Sequence, residues 1–140
     1  MKNDKKVGLF PLIVYLPVEL DQVLLDKIYN EIPSDFKPID ENDVPLHISL
    51  SKNEVLPHHC IEGFSDALVK GLREAEIAKF RVTMKRFNRY KNENGDKDFI
   101  AIDIDKGSKK ILGIVDIVNN VMKRYGLNLY YDVTLSVYLD

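Results

Sequence analysis

The chain carries two versions of one six-residue phrase, Leu46-His47-Ile48-Ser49-Leu50-Ser51 and Tyr131-Asp132-Val133-Thr134-Leu135-Ser136. In each, polar and apolar residues alternate after an apolar or aromatic lead. Side chains on a strand point alternately to its two faces, so each copy predicts a strand with its key residue and hydroxyls on one side and its aliphatic residues on the other. Two such strands require a fold that buries two apolar faces and presents two polar ones. A repeated polar face can close on one substrate from two sides. The copies differ at the leading polar position, histidine in the first and aspartate in the second.

The surrounding sequence limits the machinery around this pair. At 140 residues with 45% apolar content, the chain is expected to form one domain over residues 1–140 with a real core. No apolar run approaches the length of a membrane span, and Met1-Lys2-Asn3-Asp4-Lys5-Lys6 leads into a strand-like segment without a small-residue cleavage site. The expectation is a soluble, intracellular protein that does not engage a membrane. Cys60 has no partner for a disulfide, and although His58 and His59 precede it, the group lacks zinc-ligand spacing. Helix entry after Pro57 is the favoured reading there.

The net charge of −2 argues against a general nucleic-acid coat, but residues 79–91 contain lysines and arginines and no acid. Such a segment can track phosphates. It also reads as an ordinary half-exposed strand, because Lys79, Arg81, Thr83 and Lys85 alternate with Phe80, Val82 and Met84. The two readings stay open at this point.

The pattern of elements is regular. Leu9 to Leu16 predicts a buried strand, with Pro11 suggesting an edge or a late start. Leu20, Val23, Leu24 and Ile28 predict a helix over 18–32, and 34–45 reads as an acidic loop. Ile61, Phe64, Leu68 and Leu72 make a second helical stripe, ending close to Gly71. Phe80–Tyr90 and Phe99–Ile104 predict an antiparallel hairpin turning at Asn94-Gly95. Ile111, Ile114, Val115, Val118, Val121, Met122 and Tyr125 form the clearest stripe, stopped by Gly126, and Leu129 to Leu139 predicts the last strand. The fold class is α+β: two lobes of antiparallel sheet backed by helices, with the motif strands central and facing a shared cleft. No glycine-rich phosphate loop, Ser-His-Asp trio or glycosidase carboxylate pair is present.

Leu46 to Ser51, followed by Val55-Leu56-Pro57-His58-His59-Cys60-Ile61 and Phe64, resembles the first signature region of the 2H phosphoesterases, specifically the branch that trims the 3′ end of U6 small nuclear RNA. Arg89-Tyr90-Lys91-Asn92-Glu93, Asp98-Phe99-Ile100-Ala101 and the helix from Val115 to Tyr125 resemble that branch in order and spacing. The resemblance implies two pseudo-symmetric lobes, one His-x-Ser/Thr motif from each, and metal-free cleavage that removes 3′ uridines and leaves a cyclic or open phosphate. No cofactor is implied. Carried over, His47 is a catalytic histidine, Ser49 and Thr134 bind the scissile phosphate, and Asp132 replaces the second histidine. Tyr130 or Tyr131 would stack on a terminal base, and Arg86 and Arg89 would hold RNA. The implied partner is a single-stranded RNA 3′ end, U6 small nuclear RNA above all, in the nucleus and in the company of spliceosomal proteins.

The replacement bears on chemistry. Cleaving RNA through its 2′-hydroxyl needs a base for that proton and an acid for the leaving 5′-oxygen, each working best near ambient pH. Ordinary histidine, with a pKa of about 6.5, can serve either role, whereas an ordinary aspartate, with a pKa of about 3.9, is protonated about once in a thousand molecules at pH 7. Three readings follow, in order of preference: an RNA-end binder with impaired catalysis, an active phosphodiesterase, and a protein scaffold with a vestigial cleft. For single residues, His47 reads as a core histidine or a cleft one, Asp132 as a surface acid or a site residue. Ser51 and Ser136 read as cleft hydroxyls or local backbone partners.

Overall fold

The computed structural model describes residues 8–31, 37–38, 46–91, 95, 98–132 and 134–139. Its strands are β1 (Leu9–Leu12), β2 (Tyr15–Pro17), β3 (Lys37–Pro38), β4 (His47–Ser49), β5 (Glu54–Pro57), β6 (Met84–Lys91), β7 (Asp98–Ile104) and β8 (Thr134–Leu139). Among the described residues three α-helices accompany them: α1 (Gln22–Asn30), α2 (Ile61–Ala75) and α3 (Ser108–Arg124).

The main sheet has the order β2-β4-β8-β7-β6, every pairing antiparallel, and β3 also pairs with β8. The two motif strands are direct neighbours, His47 opposite Ser136 and Ile48 opposite Leu135. The halves therefore join along a β4–β8 seam into one sheet. Aliphatic residues at alternate positions, Ile48 on β4 and Ile100, Ile102 and Ile104 on β7, are all under a tenth exposed and belong to the core. Against them α3 contributes Ile111, Val115, Val118 and Met122, all fully buried. Burial of each such side chain stabilises by about 1.5–3 kcal/mol, so this helix holds the sheet.

The predicted first strand is two. Val14 makes the break: its N–H donates to Ser51 Oγ at 2.8 Å and its carbonyl accepts from Leu50 N–H at 2.8 Å. Before that point β1 pairs with β5, and after it β2 pairs with β4. The run is not a buried strand, since Phe10 and Ile13 are each 38% exposed. Pro11 pairs with Val55 in this separate two-stranded sheet, consistent with the edge position that a missing N–H favours.

Other boundaries shift for local reasons. Asp21 Oδ1 accepts the Leu24 N–H at 2.8 Å, an N-cap that starts α1 at Gln22 rather than at 18. Val23, placed on the apolar stripe by spacing, is 68% exposed, whereas Ile28 is buried. α2 runs through Gly71 to Ala75. Gly71 is there for close helix packing, because a Cβ would stand 2.9 Å from Ile117 Cγ2 on α3. β6 begins at Met84; Thr83 instead bonds to Asp105 and Lys106 on both backbone and side chain, and Lys79 and Arg81 precede the strand. The hairpin of β6 and β7 forms as expected, with Gly95 at φ +74°, although Asn94 lies outside the described residues. Gly126, at φ +70°, ends α3 with a Schellman pair: Leu127 N–H to Met122 O and Gly126 N–H to Lys123 O.

The last strand also starts late, at Thr134 rather than Leu129. The residues before it are engaged elsewhere. Both backbone groups of Tyr130 bond to the Asn119 side chain, and the Asn128 N–H bonds to Glu54. Backbone committed to α3 and β5 is not available for a ladder. His58–Cys60 form a 3₁₀ turn that leads into α2, and the His58 ring lies 5.4 Å from that of Phe10. Among the described residues no cluster of three or more metal-ligating side chains occurs, and no helix is long and apolar enough to cross a membrane.

Candidate active site

The register defines the second face of the sheet. One row runs across Pro17, His47, Ser136, Ala101 and Asn88, each residue opposite the next. Two residues along each strand, Tyr15 pairs with Ser49 on one side and Asp103 with Thr134 on the other. Directly opposed residues of an antiparallel ladder share a face, so these positions all lie on the side away from the aliphatic core. From this pairing β4 runs on to Ser49, and β8 begins at Thr134. Positions 49 and 134 thus belong to the same face of the sheet as position 47.

His47 is half-buried, with its ring set edge-on to Tyr15 at a centroid separation of 5.4 Å. Ser49 is half-buried beside it in β4. Ser51 is different: 2% exposed, it accepts the Val14 N–H and donates to the Lys52 carbonyl at 3.0 Å. The local-backbone reading of Ser51 is the correct one. The strand ends at Ser49 and the chain bends, so period two no longer holds at residue 51. Thr134 opens β8, and its side chain and that of Ser136 lie outside the described residues.

Asp132 is exposed and precedes β8, so the connection from α3 sets its place. Its charge is felt by two phenols. Burial pushes the Tyr130 hydroxyl up to about 12, with the Asp132 carboxylate adding to the shift. Tyr90 is also raised, first because its hydroxyl donates to Asp103, then through burial and the charge of Asp103, with Asp132 contributing in the same direction and a bond to Asn88 opposing. Asp132 thus stands within electrostatic reach of both Tyr130 and β6. Tyr131 is 58% exposed and available to a ligand.

The β6–β7 side carries a group that spacing did not single out. Asp103, opposite Thr134, accepts hydrogen bonds from Asn88 Nδ2 and Tyr90 Oη, both at 2.5 Å. Arg86 Nε lies 3.9 Å from the same carboxylate. A bulge between Met84 and Phe87 sets Lys85 and Arg86 together opposite Asp103. That extra residue brings Arg86 to the polar face. Arg89 pairs with core-facing Ile100 and so belongs to the other face, at an exposed edge. Alternation within β6 and β7 was the available signal for Asn88, Tyr90 and Asp103, but only the pairing brings them next to the motif strands.

Comparison with known proteins accords with this arrangement. A family model, HVSL, described as an uncharacterised conserved protein, matches residues 2–136. The chain is 30% identical over 120 residues to U6 snRNA phosphodiesterase 1 of Rattus norvegicus, covering 84% of this chain and 44% of that protein. It is 31% identical over 123 residues to the Drosophila melanogaster protein of the same name, covering 85% and 46%. The chain spans under half the length of these relatives. In structure it resembles Kluyveromyces marxianus Usb1 with uridine monophosphate, with a TM-score of 0.66 at 15% identity, covering 96% of this chain and 71% of that one. A second structure of Kluyveromyces marxianus Usb1 gives a TM-score of 0.68 at 15% identity, covering 95% of this chain and 71% of that one.

Proposed function

The chain belongs to the HVSL family and has the 2H phosphoesterase fold seen in Usb1, and from that premise we propose that its polar sheet face binds the 3′ end of uridine-rich RNA as a phosphodiesterase site. The observation that supports the reading is the β4–β8 pairing, which sets His47 opposite Ser136 and makes the strand of His47 and Ser49 the neighbour of the strand that Thr134 opens. Relatives named U6 snRNA phosphodiesterase 1 support U6 small nuclear RNA as the substrate, and with it a nuclear place of action.

In the proposed reaction His47 takes the proton of the 2′-hydroxyl next to the terminal phosphodiester. That oxygen attacks phosphorus, the bond to the 5′-oxygen breaks, and the departing nucleoside takes up a proton, leaving a 2′,3′-cyclic phosphate on the RNA. Ser49 and Thr134 hold the phosphoryl oxygens, and Tyr131 offers a face for the terminal base. Asp132 stands at the motif position where the family's second histidine would protonate the leaving group. We place its half of the site in binding more than in proton transfer, because a carboxylate stands there in place of an imidazole and adds negative charge beside a phosphate.

Incubation with a 3′-hydroxyl oligouridylate, without added metal, tests both parts. Binding with slow shortening is expected, and His47→Ala should abolish the shortening. Asp132→His should accelerate it by about 100-fold or more, the usual contribution of a positioned acid. A chain that neither binds nor shortens the oligomer at low salt refutes the assignment. Rapid shortening by the parent, unchanged by Asp132→His, refutes the impaired half.

A further inference from the structure

Between the end of α3 and β8 the chain crosses nine residues, 125–133, and the described part of this connection is tied down along its length. The Leu127 N–H closes on Met122 O, the Asn128 N–H on Glu54 Oε2 at 2.9 Å, and Tyr130 on Asn119 twice. The Asn119 amide donates from Nδ2 to the Tyr130 carbonyl at 2.8 Å and accepts the Tyr130 N–H at Oδ1 at 3.0 Å. This side chain imitates the neighbouring strand that Tyr130 lacks. Asn119 is 5% exposed, one of two buried polar residues among those described, and it sits on the helix whose other buried positions are aliphatic except for Met122. A buried amide on such a helix costs stability unless both of its ends are satisfied, and here both are satisfied by a single residue of the connection.

We propose that Asn119 is the positioning residue of the second half-site: by clamping the main chain of Tyr130 it fixes where Tyr131 and Asp132 stand beside the phosphate position. The clamp lies two residues from Asp132, and the β8 ladder begins only at Thr134. Of the bonds described, this is the one that fixes the backbone of residues 129–132 from outside. It also keeps the Tyr130 phenol half-buried near Asp132, which gives the clamp a signature independent of RNA. The part of the inference that concerns ligand binding rests on the RNA reading above.

Asn119→Leu keeps the branched shape of the side chain, raises helix propensity and removes both hydrogen bonds. The variant is compared with the parent on ¹³C-tyrosine-labelled full-length chain, the Tyr130 resonance being identified by its loss in Tyr130→Phe. In the parent the Tyr130 hydroxyl should remain mostly neutral at pH 11; in Asn119→Leu it should be at least half ionised there, as an ordinary phenol is near pH 10. Affinity for a 3′-hydroxyl oligouridylate should fall by about tenfold, a loss of about 1.4 kcal/mol. Adding Tyr131→Ala to Asn119→Leu should then cost less than Tyr131→Ala costs in the parent, because both changes act on one segment. Should Leu prevent folding, Asn119→Ser, which shortens the amide out of reach, carries the same comparison.

An unchanged Tyr130 titration in a folded variant overturns the clamp. A displaced titration with unchanged affinity and strict additivity overturns the positioning role. If the parent binds no oligouridylate while the variant still frees the Tyr130 hydroxyl, the RNA reading fails and the clamp stands.

Discussion

Ser49 and Ser51 look equivalent in the repeated motif, and exchanging each for alanine should separate them. Ser51 is 2% exposed and occupies both of its hydrogen-bonding roles, accepting from Val14 N–H at 2.8 Å and donating to Lys52 O at 3.0 Å. Ser51→Ala leaves the Val14 N–H without its acceptor at the point where the chain passes from β1 to β2. A neutral hydrogen bond contributes about 1 kcal/mol net, and a stranded donor costs about 1–3 kcal/mol. Partial exposure of Val14 lets water recover part of this, so we expect about 1.5 kcal/mol. For a domain of this size that is about 5 °C in Tm, or a drop of about 0.7 M in urea midpoint at an m-value near 2 kcal/mol/M. Paired urea titrations and oligouridylate assays at a temperature where both variants are folded provide the measurement. Ser51→Ala should lose stability and keep its affinity, while Ser49→Ala keeps its stability within about 0.5 kcal/mol and loses affinity. If Ser51→Ala unfolds at the parental midpoint, or Ser49→Ala binds as the parent does, the assignment of the two hydroxyls is wrong.

Arg86→Ala should weaken oligouridylate binding and lower the slope of log affinity against log salt by about 0.7, the value for one phosphate contact on a single strand; an unchanged slope would place Arg86 off the RNA path. Its ion pair with Asp103 is largely exposed on the arginine side, so thermal stability should stay within about 0.5 kcal/mol. Gly107→Ala should destabilise by about 2 kcal/mol or more in denaturant unfolding, since Gly107 caps α3 at φ +90° and a Cβ there would meet Arg81 O at 2.6 Å. Tyr130, raised to about 12 from an ordinary value near 10, favours the folded state while it is neutral. Its contribution is therefore full below pH 10 and lost as pH rises toward 12, by under about 2 kcal/mol after solvent screening. Tyr130→Phe should remove that alkaline slope in stability measured against pH.

Local periodicity held for the longest patterns and failed at Val23, which spacing puts on the apolar stripe of α1 and which is 68% exposed. The α3 stripe of Ile111, Ile114, Val115, Val118, Val121 and Met122 is buried as spaced, and the β6–β7 hairpin pairs as predicted. Errors arose where one hydrogen bond outranked a pattern. The Asp21 cap postponed α1, Ser51 turned a bend into a fastening point, and Asn119 held Tyr130 away from the last strand.

Local composition thus determined which residues alternate, which face of each helix is apolar, and that His47 and Ser49 share a strand face opposite an aliphatic one, because these follow from the geometry of a single segment. Sheet order and register depend on contacts between segments far apart in the chain, and tertiary structure alone decided them. That is where β8 becomes the neighbour of β4, where Asp103 comes to face Thr134, and where a bulge brings Arg86 to the same surface. It also decided that Asp132 stands outside the strand, on a connection held by α3, since no spacing rule reveals that a buried amide eleven residues away will claim the backbone beside it.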